Sequence, residues 1–443
     1  MASNSANVNN ISSIFRTSKK NARQTNHSDK KKILIIAHNH PDFFPGGGEI
    51  FAYRSFEELK KNEQYQVMFL AATGNVSRSN HAGTPFLSHM GRTDEFLFHG
   101  DAFDYFKQSQ RELTYLFRDF ARFLSEHQPD IVHLHHTLRF GVEALSIIKK
   151  TLPKARIIYT LHDFIPICHN NGQMVRTNSL SLCEQASSDA CNKCFPEIAP
   201  TLFKARELFI KAHFDLVDVF VSPSEFLARR FVKWGIAPHK IQIIENGIPE
   251  LPPINKNNAK RDAHNHFGFF GQISPYKGTM LILEAAKILL DQGINDFQVS
   301  IHGNIELQTK EFQSEFAAKL KKCAPNVQFL GKYKSTQINE YMQNIDFVVM
   351  PSVWWENSPL VITEAKYYKK PIICSNIGGM AEKVQNEVEG LHFEVGDSHS
   401  LASVMLRAIK DKNLFPKLQA KIKTPLSIEQ CMNQYINLYE NDV

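Results

Sequence analysis

From Lys32 onward the chain alternates short apolar runs with amphipathic stretches. The runs ILIIA, YQVMFLA, 131–134, 156–160 and 217–221 read as buried strands, each bounded by turn or polar residues. Between them the spacing predicts helices over about 49–61, about 105–126 and 225–234, the last with Ser224 as N-cap and Gly235 as its stop. Strands that are apolar on both faces and alternate with helices belong to a parallel sheet covered on each side.

The pattern lapses over 249–265, PELPPINKNNAKRDAHN, which is polar, proline-rich and free of periodicity, and reads as a linker. It then restarts with HFGFFG, a helix over about 279–291 stopped by Gly293, FQVSIHG, a helix before Pro325, and VQFLG. Residues 347–350 form the next strand. Ser358 is placed to cap a helix with Pro359 at its first position, the lysines of 367–370 suit its C-terminus, and Pro371 breaks it before a strand over 372–374. The chain therefore divides into a leader, 1–31; an α/β domain, 32–248, with a cysteine-rich insertion over 164–200; the linker; a second α/β domain, 266–425; and a terminal helix within 426–443. Two such domains enclose a cleft, where small-molecule sites tend to lie.

Composition fits this division, since 443 residues with 43% hydrophobic content can fill two cores. The net charge of +6 is mild, and part of it sits in the first 32 residues, where Arg16, Lys19, Lys20, Arg23, Lys30, Lys31 and Lys32 oppose only Asp29. A flexible leader is expected there, with a transit peptide or contact with an anionic membrane as alternatives. No apolar run reaches the roughly 20 residues of a membrane span, which points to the cytoplasm, with peripheral contact at the inner face of the membrane as an option. Basic and aromatic residues are not interleaved in any patch, so nucleic acid is not an expected partner.

Candidate chemistry gathers at the carboxyl ends of the strands, where open α/β sheets bind ligands. Glu356 stands on the loop after the 347–350 strand and Glu364 in the following helix. Both could accept hydrogen bonds from sugar or ribose hydroxyls, although the same spacing fits a loop acid and a solvated helix face equally well. Gly46, Gly47 and Gly48 open the first helix, where a bare backbone and a helix N-terminus favour an anion; a plain tight turn is the alternative. The order is not GxGxxG, which disfavours a nicotinamide enzyme. Lys277, in the loop GQISPYKG, suits a diphosphate. Strand alternation sends His133 and His135 to one face and His136 to the other, against a metal triad. His162 ends its strand facing the cleft, with Asp163 placed to orient it or to bind an acceptor hydroxyl. Four of the seven cysteines, Cys168, Cys183, Cys191 and Cys194, share the insertion. They fit a closed structural zinc site, with free thiols, disulfides or an iron–sulfur cluster as alternatives.

The motifs GGGE, TLHD, SPSEF, ENGI, FFGQISPYKG, WENSPLVITEA and IGG together resemble the retaining glycosyltransferases of family 4, from about Lys32 to the C-terminus. The resemblance implies the GT-B fold, two Rossmann-like domains facing across a cleft with the C-terminal helix crossing back to the first. It implies a nucleoside-diphosphate sugar donor, UDP- or GDP-linked, a hydroxyl acceptor on a glycan or glycolipid, and no catalytic divalent metal. Glu356 and His162 would then contact the transferred sugar, Glu364 the ribose, and Lys277, Ser358, Pro359 and Leu360 the diphosphate. Gly47 and Gly48 would approach the donor, and the cysteine-rich insertion is shared by some members. The family often has Arg where this chain has Gln272, which leaves charge compensation to Lys277 and the helix termini. Acceptors would meet the loop over 75–86 and the cysteine insertion. A nucleotide-sugar epimerase and a non-catalytic sugar-binding subunit are the competing readings.

Overall fold

Each apolar run becomes a strand because both of its faces find helices to pack on. In β1 (Lys31–Ala37), Ile33, Ile35 and Ala37 enter one core while Leu34 and Ile36 enter another, as a period of two requires. The computed structural model describes residues 30–74, 84–179, 181–253, 264–334 and 337–441. Most of the expected leader, most of the expected linker and residues 75–83 of the acceptor loop lie outside them.

The first sheet continues with β2 (Tyr65–Thr73), β3 (Phe86–Ser88), β4 (Glu95–His99), β7 (Ile131–Leu134), β8 (Arg156–Thr160), β9 (Val219–Ser222) and β10 (Ile241–Ile243); β5 (Phe103–Asp104) and β6 (Ser109–Gln110) form a separate small hairpin. Its order is β10-β9-β8-β7-β1-β2-β4-β3, parallel except for the β3–β4 pair. The second sheet holds β11 (His266–Phe270), β12 (Gln298–His302), β13 (Val327–Gly331), β14 (Phe347–Met350), β15 (Ile372–Ser375) and β16 (Gly390–Phe393), all parallel in the order β13-β12-β11-β14-β15-β16. In each sheet the chain leaves the central strand to one side and later returns on the other. The order therefore reverses between β1 and β7 and between β11 and β14, and the loops leaving those strands flank a crevice in each domain.

The helix Ile428–Glu440 returns from the second domain to the first. Its N-terminus is set by a reciprocal capping box between Ser427 and Gln430. Its far end is fixed by polar contacts in the first domain: Tyr439 Oη lies 2.7 Å from His133 Nδ1, and Tyr65 donates to Glu440 over 2.6 Å. The chain passes between domains twice, and the passages touch. Ile248 N–H donates to Leu426 O and Ile428 N–H to Ile248 O, and a Cβ on Gly247 would come within 2.7 Å of Ile428 Cα.

Two expectations shift. The helix expected over 105–126 begins only at Leu113, turns π-helical over Tyr115–Phe120 and leads into the helix Ala121–His127. Upstream, the Asp104 carboxylate accepts the Phe106 and Lys107 N–H groups and Gln108 takes φ 58°, which turns the chain into the β5–β6 hairpin. After β14 the helix is Leu360–Tyr367, one residue later than expected. Pro359, with φ −63° and ψ 125°, occupies the capping position in place of Ser358, and no side chain caps the end.

Candidate active site in the interdomain cleft

The loops at the two reversal points bring the candidate residues together. On the second domain, the loop after β11 and the loop after β14 are locked to each other: Gly278 takes φ 67°, and a Cβ there would lie 1.9 Å from Pro351 O, so only glycine fits. This contact places Lys277 beside Glu356. Glu356 is buried, and its Oε1 accepts from Lys277 Nζ at 2.5 Å, Trp354 Nε1 at 2.8 Å and Ser352 Oγ at 2.9 Å. Burial opposes its charge, but the Lys277 ammonium and these hydrogen bonds outweigh burial and hold the carboxyl below its usual range. Lys277 also lies over the Trp354 ring, 5.4 Å from its centroid.

Glu364 behaves in the opposite way. Burial pushes its pKa up to about 7, and the Arg54 guanidinium only partly opposes this. Arg54 belongs to the helix Gly47–Leu59 of the first domain, so this pair faces across the cleft. Gln272 is exposed on the loop after β11. Ser358, Pro359 and Leu360 are partly buried at the helix start; Pro359 has no N–H, so any amide contribution there falls to its neighbours.

On the first domain, Gly47 and Gly48 open the helix Gly47–Leu59. A Cβ on Gly47 would lie 3.8 Å from Leu360 Cδ1, and one on Gly48 would lie 3.4 Å from His162 Cγ. Two helix N-termini, one from each domain, thus face each other beside His162, and both favour negative charge. The His162 carbonyl accepts Asn357 Nδ2 at 2.9 Å, and its Nε2 lies 3.0 Å from His135 Nδ1. Asp163 pairs with His136 at 3.2 Å rather than orienting His162. His133 bridges Tyr439 and Thr160, so the three histidines of the HLHH run serve different partners.

The sequence reading missed Arg54, Trp354, Ser352 and the residues that clamp the domains. Glu382 accepts the N–H groups of Glu225 and Phe226 at 2.9 and 2.6 Å, and so joins the second domain to a helix start in the first. Trp355 donates from Nε1 to Cys183 O at 3.2 Å and lies under Arg230.

The four insertion cysteines are partly buried free thiols. Burial pushes Cys191 up to about 11, and the thiols of Cys168, Cys183 and Cys194 all add to this. Beside them Arg206 is buried and donates to three carbonyls, those of Phe106, Pro166 and Ile165. Among the described residues, the one group of three ligand atoms within 4.8 Å of one another is His40, Asp42 and His89, not the cysteines. Its lone pairs are largely in use: His40 Nδ1 accepts the Asp42 N–H, His40 Nε2 meets Glu95, and His89 Nε2 meets Asp42.

Two family models match the chain in succession, Glycosyltransferase Family 4 over residues 45–250 and Glycosyl transferases group 1 over 252–424. The chain belongs to the family 4-like branch of the GT-B glycosyltransferase superfamily. It is 31% identical over 218 residues to the UDP-Gal:alpha-D-GlcNAc-diphosphoundecaprenol alpha-1,3-galactosyltransferase of Escherichia coli, a match covering 46% of this chain and 55% of that one. It is 24% identical over 254 residues to the amylovoran biosynthesis glycosyltransferase AmsK of Erwinia amylovora, covering 54% and 58%. The chain thus spans little more than half the length of these relatives. In fold it is similar to HepE of Anabaena, solved with UDP and glucose (TM-score 0.62, 17% identity, 92% of this chain and 99% of that one). It is also similar to the sucrose-phosphate synthase of Thermosynechococcus elongatus (TM-score 0.66, 16% identity, covering 92% and 98%). At such identities these structures speak to the GT-B fold alone, which the two facing Rossmann-like domains and the returning C-terminal helix match.

Proposed function

We propose that the chain transfers a hexosyl unit from a nucleoside-diphosphate sugar to a hydroxyl of a glycan or glycolipid acceptor, with retention at the anomeric carbon, in bacterial surface polysaccharide or glycoconjugate assembly. The observation that carries this reading is the meeting of two helix N-termini, at Gly47 and Leu360, beside the Lys277–Glu356 pair and His162. A leaving diphosphate gains charge as the sugar departs. Lys277 and the amides of the Leu360–Tyr367 helix start would stabilise that charge where it develops. Glu356 and His162 would hold the sugar hydroxyls, and Glu364 the ribose. No side chain in the cleft is assigned as nucleophile or base. The departing diphosphate takes the acceptor proton on the same face, and closure of the domains keeps water from the donor.

Among donors, a UDP-linked hexose is favoured, since the Escherichia coli relative is named for UDP-Gal and the Anabaena structure holds UDP and glucose. That relative's name also contains a diphosphoundecaprenol acceptor, which supports work at the inner face of the membrane by peripheral contact. No helix among the described residues is long and apolar enough to cross it. Release of nucleotide from UDP- and GDP-sugars, with and without lipid-linked acceptors, tests the proposal. Normal turnover in Glu356→Ala and Lys277→Ala would overturn the site.

Gln272 favours a second reading, a subunit that binds nucleotide sugar without turning it over. Tight donor binding with no transfer to any acceptor would select it.

The insertion cysteines are proposed to hold a structural zinc. Zn–S bonds near 2.3 Å put the sulfurs of a tetrahedral site roughly 3.8 Å apart. Loading would therefore draw the four thiols inward. Four thiolates on a dication leave a net negative charge, and buried Arg206 is placed to offset it.

A further inference from the structure

We propose that His135 fixes the tautomer of His162, so that His162 carries its proton on Nδ1 and meets the donor as a hydrogen-bond donor rather than as a base. The proposal rests on the reading of His162 as a contact of the transferred sugar.

His135 stands just beyond β7, with its backbone N–H held by Ile36 O at 2.8 Å and its side chain 1% exposed. Its Nδ1 lies 3.0 Å from His162 Nε2. Burial pushes both imidazoles down, His135 well below the ordinary histidine range and His162 to about 4, so both are neutral at pH 7. A neutral imidazole has one N–H and one bare nitrogen. The short contact therefore holds one proton, and the pair can be wired in two ways.

In the first wiring, His162 Nε2–H donates to His135 Nδ1, and the His135 proton must sit on Nε2. That Nε2 is buried and has no hydrogen-bond partner among the described residues. An orphaned buried N–H is among the rarest defects in folded proteins, because a strong donor is stripped of water and given nothing in return. In the second wiring, His135 Nδ1–H donates to His162 Nε2. The atom left over on His135 is then a bare lone pair, a lesser loss, and the His162 proton moves to Nδ1.

The surroundings leave His135 no easy way to escape this choice. Its ring lies 4.4 Å from that of His133, which is itself fixed by Tyr439 and Thr160, and 5.8 Å from Phe51. The ring of His162 is seated against Gly48 and runs nearly parallel to His135, with an interplanar angle of 19°. On its other sides His162 feels the carboxylates of Asp163 and Glu49, which favour a proton, and the imidazoles of His136 and His38, which oppose added charge. A neutral ring that offers an N–H satisfies both influences.

The test reads the tautomer directly in the wild-type chain, labelled with 15N-histidine and with His162 assigned by the loss of its signals in His162→Ala. The expected result is a proton on Nδ1 of His162; a proton on Nε2 overturns the proposal whether or not the protein transfers sugar, so the tautomer and the proposed function can fail separately. A second arm compares His135→Leu, which has no donor, with His135→Gln, which keeps one. Turnover should fall on the order of tenfold in the first, the value of one hydrogen bond, and recover in the second. Equal losses in two folded variants would reduce His135 to a packing residue and overturn its positioning role.

Discussion

The Lys277 ammonium lies 2.5 Å from Glu356 Oε1, so the groups proposed for the diphosphate and for the sugar of the donor neutralise each other. The pair is unequal. Glu356 is buried, with 9% of its side chain exposed, whereas Lys277 keeps 25% and can reach water. Lys277→Met should therefore strand a buried carboxylate and cost about 2 kcal/mol, below the range for fully buried pairs. Glu356→Gln leaves a lysine that can turn outward, and should cost about 1 kcal/mol or less. Urea unfolding of both variants measures the asymmetry. Equal losses would mean that the ion pair contributes nothing beyond its hydrogen bonds.

The two glutamates should respond to pH in opposite directions. Glu356 has a folded pKa below its unfolded value, so its stabilisation is present above the unfolded carboxylate pKa, about 4.3, and is lost as pH falls through the folded value. Glu364 has a folded pKa of about 7, above the unfolded value. Its favourable contribution is complete below about pH 4.3 and disappears as pH rises to about 7. Glu364→Gln should accordingly gain roughly 1–3 kcal/mol on the wild type at pH 8 and nothing at pH 4. If the ribose needs the charged form, nucleotide affinity in the wild type should rise between pH 6 and 8, and that rise should vanish in Glu364→Gln. Calorimetry across this range decides, and a flat wild-type profile would remove Glu364 from the ribose site.

The alternation of strand and helix was legible because period-two and period-3.6 patterns are local. The helix Thr279–Asp291 and the capped helix Glu225–Trp234 occur at the residues expected. The failure at 105–112 has an equally local cause: Asp104 caps a single turn, but Gln108 takes φ 58°, which ends that turn and sends the chain back to pair Ser109–Gln110 with Phe103–Asp104. Arg54 escaped notice for a different reason. It looks like one more cation on an amphipathic helix, and it meets Glu364 only because two domains fold against each other. Trp354 and Trp355 stand side by side in sequence, yet one bonds Glu356 and the other Cys183. Two tryptophans immediately before a candidate site acid were a usable signal, since an indole N–H shielded from water needs an acceptor.

Glu382 should act as a clamp between the domains. Its carboxylate accepts the first two N–H groups of the helix Glu225–Trp234, where it both pairs orphan donors and meets the positive end of the helix dipole. Glu382→Ala should cost about 1 kcal/mol and open the cleft. Small-angle scattering would then report a larger radius of gyration, and the donor KM should rise more than kcat falls. An unchanged scattering profile would show that other contacts, such as Asn357 with the His162 carbonyl, hold the domains alone.

The cysteine insertion and the donor loop should be coupled through Trp355. Its indole N–H ends on the Cys183 carbonyl and its face lies 4.5 Å from the Arg230 guanidinium, so any change in the path of the insertion alters the tryptophan's surroundings. If the four thiols hold zinc, the purified chain should carry one ion, and Cys191→Ser should lose it. Stripping the metal should then shift the Trp355 emission, identified by its absence in Trp355→Phe. Arg206 separates metal binding from thiol packing. Its guanidinium is buried and bonded to three carbonyls; burial pulls its pKa down to about 10, which Cys168 and Cys191 only partly oppose. A cation so placed is costly next to neutral thiols but compensates a four-thiolate zinc centre. Arg206→Leu should therefore weaken zinc binding at least about tenfold, as loss of an outer partner does at other metal sites. If the metal-free chain keeps its stability in Arg206→Gln while the wild type binds no zinc at all, the cysteines are packing residues and the insertion is held by its core.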